Sequence, residues 1–321
     1  MWYLEQGIGE DRAICVADDE IIAARIHWPG ELIAGHVEDA RLISRISGSA
    51  RGTALLASGE EALVDRLPKS ASEGAALRLE ITRPAIGERG RLKRAQARPS
   101  DSAPISPTLA QTLAAEGSDV TTVRRFPVSG WADLLADALS REIPFSGGSL
   151  IFSPTPAMVT IDIDGSLPPR ELALAAITPI AAALKRFDLG GSIGIDFPTL
   201  QTKPERREVD EALAVALADW PHERTSINGF GFVQLVSRLT RTSLLHRASN
   251  SRTGIIARHL LRQAERIEEP SALMLTIHPA IAAKITAEWQ AELARRTGRE
   301  IRIKLEPALA LEGGFAQAVP I

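Results

Sequence analysis

The sequence predicts a multi-domain α/β protein, and three patterns along the chain support this class. Short apolar runs separated by turn residues fill residues 1 to 98. A Pro- and Ser-rich connector, PSDSAPISP, follows at 99 to 107. Beyond it, strand-like and helix-like segments alternate. A chain of 321 residues is also long enough for two or three domains.

The N-terminal region, residues 1–98, is predicted to be rich in β-strands. ICVADDEIIAARIHWPG has the pattern of a hairpin that ends at Pro29-Gly30. The segments AGHVEDARLI, GTALLAS, EALVDRLP and ALRLEITR follow, with glycines between them. Several short strands followed by a basic segment are typical of an OB-type barrel, a frequent oligonucleotide binder.

The rest of the chain divides into a linker over 99–128, an α/β domain over 129–247 and a small α/β domain over 248–321. The middle domain alternates helices at 131–143, 168–187 and 207–220 with strands in SLIFSP, MVTIDID, GGSIGIDF and FGFVQLV. The last domain begins with a helix, RTGIIARHLLRQAERI, and continues in β-α-β order.

Composition excludes several classes of protein. No apolar run reaches the ~18 residues of a membrane span, and the start of the chain lacks the pattern of a secretory signal, so we expect a cytoplasmic protein. The single cysteine, Cys15, can form neither an intrachain disulfide nor a Cys-rich zinc site. A net charge of −3 argues against coating of nucleic acid by bulk electrostatics.

Two local stretches are nevertheless basic. The segment 83–98 carries six cationic residues against Glu88, and 238–266 carries seven arginines against Glu265. Either stretch is a solvated face or a phosphate-binding path, and the second reading requires that both flank one chemical site. The residues that we expect to bind RNA are Arg89, Arg91, Lys93, Arg94, Arg238 and Arg241.

Three aspartates are the best candidates for chemistry. Asp162 and Asp164 lie two apart in MVTIDID, so on a strand their carboxylates point to one face. Asp196 ends the next predicted strand, and a crossover helix would bring both acidic ends to one sheet edge. Oxygen ligands favour Mg²⁺, or Mn²⁺, over zinc. Helix capping or simple exposure to solvent is the alternative.

The sequence around these aspartates resembles the ribonuclease E/G family. SGGSLIFSPTPAMVTIDIDGS, LGGSIGIDF and FGFVQL occur in the family's order and at similar separations. The resemblance covers residues 129 to 245 well and the two ends only weakly. It implies a DNase-I-like catalytic domain in which Asp162 and Asp196 stand at the metal-binding aspartates. Asp164 stands where the family has Asn, which removes an amide donor to phosphate.

Several positions depart from the family pattern. Gln234 replaces a glutamate and Thr199 replaces an aspartate. Residues 245–255 contain none of the cysteines that link protomers through zinc in the family, so we expect neither zinc nor a zinc-linked oligomer. In the barrel, the positions at which aromatic residues are expected carry Leu55, Ser58 and Arg66.

The function expected from these patterns is Mg²⁺-dependent cleavage of single-stranded RNA, with Asp162, Asp164 and Asp196 as the catalytic residues. The alternative is a non-catalytic RNA-binding protein whose nuclease site has degenerated, which the substituted Gln234 and the missing aromatics favour. A metal-dependent phosphoesterase for small substrates is a third possibility.

Overall fold

The computed structural model describes residues 1–88 and 90–320. The fold is mixed α/β with several sheets and one closed five-stranded barrel, which confirms the predicted class. The chain begins with three antiparallel strands: β1 (Trp2–Gln6), β2 (Asp11–Ala17) and β3 (Glu20–His27).

The barrel occupies residues 37–99 and excludes those first three strands. Its five strands are β4 (Val37–Arg45), β5 (Gly52–Leu56), β6 (Glu61–Val64), β7 (Ala76–Arg83) and β10 (Ala95–Pro99). Between the last two, β8 (Ile86–Glu88) and β9 (Arg91–Lys93) form a separate hairpin. Leu42, Leu79 and Ile81 are fully buried in the barrel core. At its mouth, Val37 and Ile105 exchange backbone hydrogen bonds of 2.8 and 2.9 Å.

The segment 99–128, expected to be a linker, contains secondary structure beyond its Pro- and Ser-rich start. It forms α1 (Leu109–Ala115) and β11 (Val120–Thr122). A capping box between Thr108 and Gln111 fixes the start of α1. β11 pairs in parallel with β1, so it completes a sheet of order β11-β1-β2-β3.

The middle of the chain forms a six-stranded sheet with the order β12-β13-β14-β15-β17-β16. Its elements are α2 (Trp131–Ser140), β12 (Glu142–Phe145), β13 (Gly148–Pro154), β14 (Val159–Gly165), α3 (Pro169–Arg186), β15 (Gly191–Asp196), α4 (Lys203–Ala216), β16 (Glu223–Arg224) and β17 (Phe232–Ser237). Only β14 and β15 are parallel, and α3 is the crossover between them.

α3 fixes which face of this sheet is covered. Pro169 starts the helix, where a missing N–H costs nothing. The buried side of α3, which includes Leu172, Ala176 and Ile180, joins one continuous core with the inward side chains of the six-stranded sheet. β3 also packs against α3, so the helix lies between the two sheets. The N-terminal strands therefore share their core with the middle of the chain rather than with the barrel.

The C-terminal part combines helices with a three-stranded sheet, one strand more than the sequence pattern indicated. Its elements are α5 (Leu244–Asn250), α6 (Arg252–Ala264), β18 (Ala272–Ile277), α7 (Pro279–Ala282), α8 (Ala287–Thr297), β19 (Ile301–Leu305) and β20 (Phe315–Val319). β18 is the central strand, parallel to β19 and antiparallel to β20.

Candidate active site

Asp162 and Asp196 are direct neighbours across two parallel strands. They form the last register pair between β14 and β15. Adjacent strands lie ~4.8 Å apart, and side chains at paired positions point to the same face. The crossover predicted from the sequence therefore brings these two carboxylates together.

Side chains alternate between the two faces of the sheet along each strand, so the apolar and the acidic side chains lie on opposite faces. Ile161, Ile163 and Ile195 point into the core beneath α3, whereas Asp162 and Asp196 are exposed on the other face. Because strand side chains repeat every two residues, Asp164 shares the exposed face.

Asp164 lies apart from the other two aspartates. It stands two residues further along β14, ~7 Å at the usual rise of a strand, and β15 has no residue paired with it. Its register partner is Ser149 on β13, and its Oδ1 accepts a hydrogen bond of 2.9 Å from the N–H of Gly165.

The carboxylates on this face could hold a hard divalent cation, but only with two of them as ligands. Among the residues that the structure describes, no group of three or more His, Cys, Asp or Glu side chains is arranged to hold a metal ion. The expected three-carboxylate convergence is therefore not found, but the pair of Asp162 and Asp196 remains. Mg²⁺ is commonly held by one or two carboxylates, with water and substrate phosphate completing its shell.

The two substituted family positions have ordinary polar surroundings. Gln234, on β17, pairs with Gly194, and its amide Nε2 donates a 3.1 Å hydrogen bond to the hydroxyl of Ser192. Thr199 is exposed in the loop after β15. Neither residue supplies a carboxylate to the open face, so Asp162, Asp164 and Asp196 are its acidic groups on β14 and β15.

An aromatic edge beside the aspartates was not anticipated from the sequence. Phe232 is the register partner of Asp196 on β17. Its ring covers Gly194, where a Cβ would lie 2.5 Å from the ring and 3.1 Å from the sulfur of Met158. Phe230, two residues earlier, is 86% exposed. The sequence GFGF at residues 229–232 could have indicated it, because glycines on both sides of a phenylalanine favour a loop over a strand.

The β8–β9 hairpin carries two of the predicted RNA-binding cations, Arg91 and Lys93, and Arg94 directly follows it; acidic side chains already pair with all three. Arg91 and Lys93 both bind Glu88, whose side chain is only 3% exposed, and Arg94 binds Glu61. Burial acts to raise the pKa of Glu88, but hydrogen bonds from Lys93 and Arg91 outweigh it and hold that pKa below its usual range. Arg89 lies outside the described residues.

The second basic stretch is largely structural. Arg238 is exposed, but Arg241 is tied to Glu116 and Asp188. Arg247 and Arg262 are buried, and the guanidinium of Arg258 stacks on the rings of Trp28 and Trp289 at 3.7 and 4.6 Å. The arginines of α5 and α6 therefore bind the C-terminal part to the N-terminal sheet.

In the barrel, the three positions expected to be aromatic make no stacking surface. Leu55 is an exposed aliphatic side chain, and Ser58 donates from its hydroxyl to Glu38. Arg66 adopts a left-handed backbone conformation with φ of 60°.

Fold and site together define an α/β protein that carries two paired, exposed carboxylates on one face of a sheet, together with a small barrel and a basic hairpin. Residues 109–244, which contain both aspartates and the aromatic edge, match the ribonuclease E/G family. Over that segment the chain is similar to this family.

Individual relatives show the same similarity. Ribonuclease G of Escherichia coli strain K12 is 28% identical over 200 residues, which cover 53% of this chain and 41% of the relative. Ribonuclease G of Haemophilus influenzae is 36% identical over 134 residues, 38% of this chain and 27% of the relative. The chain thus spans about two fifths of the length of the Escherichia coli protein. Within the described residues, no helix combines the length and the apolar character needed to span a bilayer.

Proposed function

We propose that the protein is a Mg²⁺-dependent endoribonuclease that cleaves single-stranded RNA, with Mn²⁺ as a substitute ion. The observation that carries the proposal is the register pair of Asp162 and Asp196 on one open sheet face, within the segment that matches the ribonuclease E/G family. The relatives are named ribonuclease G. We further propose that the sheet is a DNase-I-like catalytic domain and that the barrel is an OB-type RNA-binding module.

The roles of the three aspartates follow from their positions. Asp162 and Asp196 would hold the cation, which when bound activates water and neutralises charge at the scissile phosphate. Asp164 has one carboxylate oxygen engaged by the N–H of Gly165, so its other oxygen can accept the proton of an attacking water. All three aspartates are exposed on the face opposite α3, where an extended strand can reach them.

The test uses end-labelled single-stranded RNA and a duplex of the same sequence, each with Mg²⁺ or with EDTA. Wild type should cut the single strand only with Mg²⁺. Asp196→Asn should lower the rate by at least about 100-fold, because even residues that only support a metal ligand cost about 10- to 100-fold when lost. Asp101→Asn, an exposed aspartate in the connector, is the matched control.

RNA binding, measured in parallel, separates the two candidate functions. Asp196→Asn should keep its RNA affinity or gain slightly, because a charge that repels phosphate is gone. Wild type that binds RNA but cuts nothing with Mg²⁺ or Mn²⁺ would establish the non-catalytic alternative. The carboxamide of Gln234, held by Ser192 at a position where the family has a carboxylate, favours that alternative. Protein that neither binds nor cuts RNA would refute both.

A further inference from the structure

Phe230 is the most exposed aromatic side chain in the described part of the chain. It is 86% exposed, and the only other exposed aromatic residue there is Phe315, at 43%. A single exposed apolar residue is common on protein surfaces and needs no explanation by itself. What distinguishes Phe230 is the construction of its loop and the position of that loop.

The loop is fixed by hydrogen bonds rather than by burial. The side-chain oxygen of Asn228 accepts from the N–H groups of Phe230 and Phe232, at 2.9 and 3.1 Å. Gly231 donates from its N–H to the carbonyl of Asn228, and its own carbonyl accepts from the N–H of Phe197, both at 3.1 Å. These four hydrogen bonds therefore fix the backbone of the loop in a conformation that leaves the ring of Phe230 exposed to solvent.

Gly231 makes this arrangement possible. Its φ is +90°, a region that L side chains rarely adopt, and a Cβ there would lie 2.4 Å from the carbonyl oxygen of Phe197. The loop thus closes tightly on the residue that follows Asp196.

The loop stands at the carboxylate edge of the sheet. Phe197 directly follows Asp196, and Phe232 is the register partner of Asp196. A nucleotide whose phosphate lies at the aspartate pair would have its neighbouring bases within reach of this edge, since a nucleotide spans several ångströms. Phe230 is the aromatic ring there that is open to solvent.

The barrel cannot provide aromatic stacking. The sequence contains no Phe, Tyr or Trp between Trp28 and Phe126, an interval that includes the whole barrel. Binding of single strands without sequence readout usually combines cations with aromatic platforms. In this chain the cations of the barrel hairpin and the exposed ring of Phe230 lie on different elements.

We propose that Phe230 is a stacking platform for a nucleobase of single-stranded RNA, adjacent to the phosphate at Asp162 and Asp196. This inference rests on the proposed function for the identity of the ligand. Stacking involves the π-face of any base, so the platform selects for an unpaired base rather than for a sequence. Duplex RNA, whose bases are already stacked, cannot use it.

The experiment compares Phe230→Ala, Phe230→Trp and the control Phe315→Ala in RNA binding with EDTA present, so that turnover is not needed. Phe230→Ala should bind single-stranded RNA about 5- to 150-fold more weakly, the equivalent of the ~1–3 kcal/mol contributed by one stacked base at 1.4 kcal/mol per tenfold. Phe230→Trp should restore affinity, and Phe315→Ala should match wild type. Because the side chain is exposed, thermal unfolding of the variants should be unchanged.

A photo-crosslink gives a second readout. Ultraviolet irradiation of a 5-bromouridine oligonucleotide bound to wild type should attach it to the peptide that contains Phe230. Unchanged affinity in Phe230→Ala together with a crosslink elsewhere would overturn the platform, whether or not wild type cuts RNA. Weaker binding with the crosslink at Phe230, in a protein that cuts nothing, would retain the platform and reject the nuclease activity. Absence of RNA binding by wild type would reject both.

Discussion

At the scale of single residues, Gly194 determines what can stand beside the acidic pair. It lies between Ser192 and Asp196 on the open face of β15, and the ring of Phe232 occupies the space that a side chain would fill. The absence of a Cβ therefore lets an aromatic ring approach the backbone of β15 next to two carboxylates.

Gly194→Ala should displace that ring. The new Cβ would lie 2.5 Å from Phe232 and 3.1 Å from the sulfur of Met158, so both must move. We expect a loss of ~1–3 kcal/mol in the free energy of unfolding, as for other overpacked sites, and a fall in RNA cleavage. Denaturant unfolding and the cleavage assay measure the two effects.

Gly229→Ala is the matched control, because a Cβ there meets nothing within 4 Å. It should keep both the stability and the activity of wild type. Equal behaviour of the two variants would mean that the position of Phe232 has no influence on the site.

At the scale of elements, local patterns predicted the helices and strands that have strong local signals. The helix expected over 168–187 spans Pro169–Arg186. The helix expected over 207–220 instead begins at Lys203, because Thr202 and Glu205 form a capping box that starts it earlier. β11 was missed because its partner, β1, is far away in the sequence and three residues carry no period of their own.

In the candidate site, too, the features that local sequence patterns determine could be predicted, and those that depend on distant parts of the chain could not. The pairing of Asp162 with Asp196 follows from two strand patterns and one crossover helix, all of them readable locally. The ion pairs of Arg241 with Glu116 and Asp188 join three separate parts of the chain, so no local pattern reveals that this arginine is engaged. A count of basic residues along the sequence therefore overstates the charge available to phosphate.

Two variants of the β8–β9 hairpin should change RNA affinity in opposite directions. Changing Arg91, Lys93 and Arg94 together to Ala should weaken RNA binding about equally for unrelated sequences. It should also flatten the salt dependence by roughly 0.7 for each phosphate that the protein no longer neutralises. Glu88→Gln should do the reverse, because it removes the carboxylate that now neutralises Arg91 and Lys93.

Salt titrations on two unrelated single-stranded RNAs measure both variants of the hairpin. If neither the slope nor the affinity changes in either variant, the hairpin is a solvated face that does not contact RNA. Arg238, the exposed arginine after β17, would then be the remaining predicted contact.

At the scale of the whole molecule, one buried carboxylate joins the two ends of the chain. Glu5 on β1 is fully buried, and its oxygens accept hydrogen bonds from Arg12, Arg266 and the N–H of Phe126. Arg262 lies 3.4 Å away. Because Arg262 and Arg266 belong to the C-terminal part, this cluster fastens that part to the first sheet.

Glu5→Gln should destabilise the whole fold by ~3–5 kcal/mol, because it leaves buried cations without their counter-charge. Glu300→Gln, which breaks the exposed pair with Arg302, should leave the free energy of unfolding close to that of wild type. Urea unfolding of both variants measures the difference. Similar losses in the two would show that the cluster around Glu5 does not hold the ends together.

The contact between Val37 and Ile105 has a consequence for how the barrel can be gained or lost. In a hydrogen-bonded antiparallel pair the Cα atoms lie ~5.5 Å apart. A link of two or three residues between Val37 and Ile105 could therefore replace the whole segment 38–104, which includes the barrel. Topologically the barrel is an insertion whose two ends adjoin, and its removal would leave β1 paired with β11. Modules with adjoining ends can be exchanged in a single recombination event. The barrel and the acidic pair can therefore diverge independently of each other.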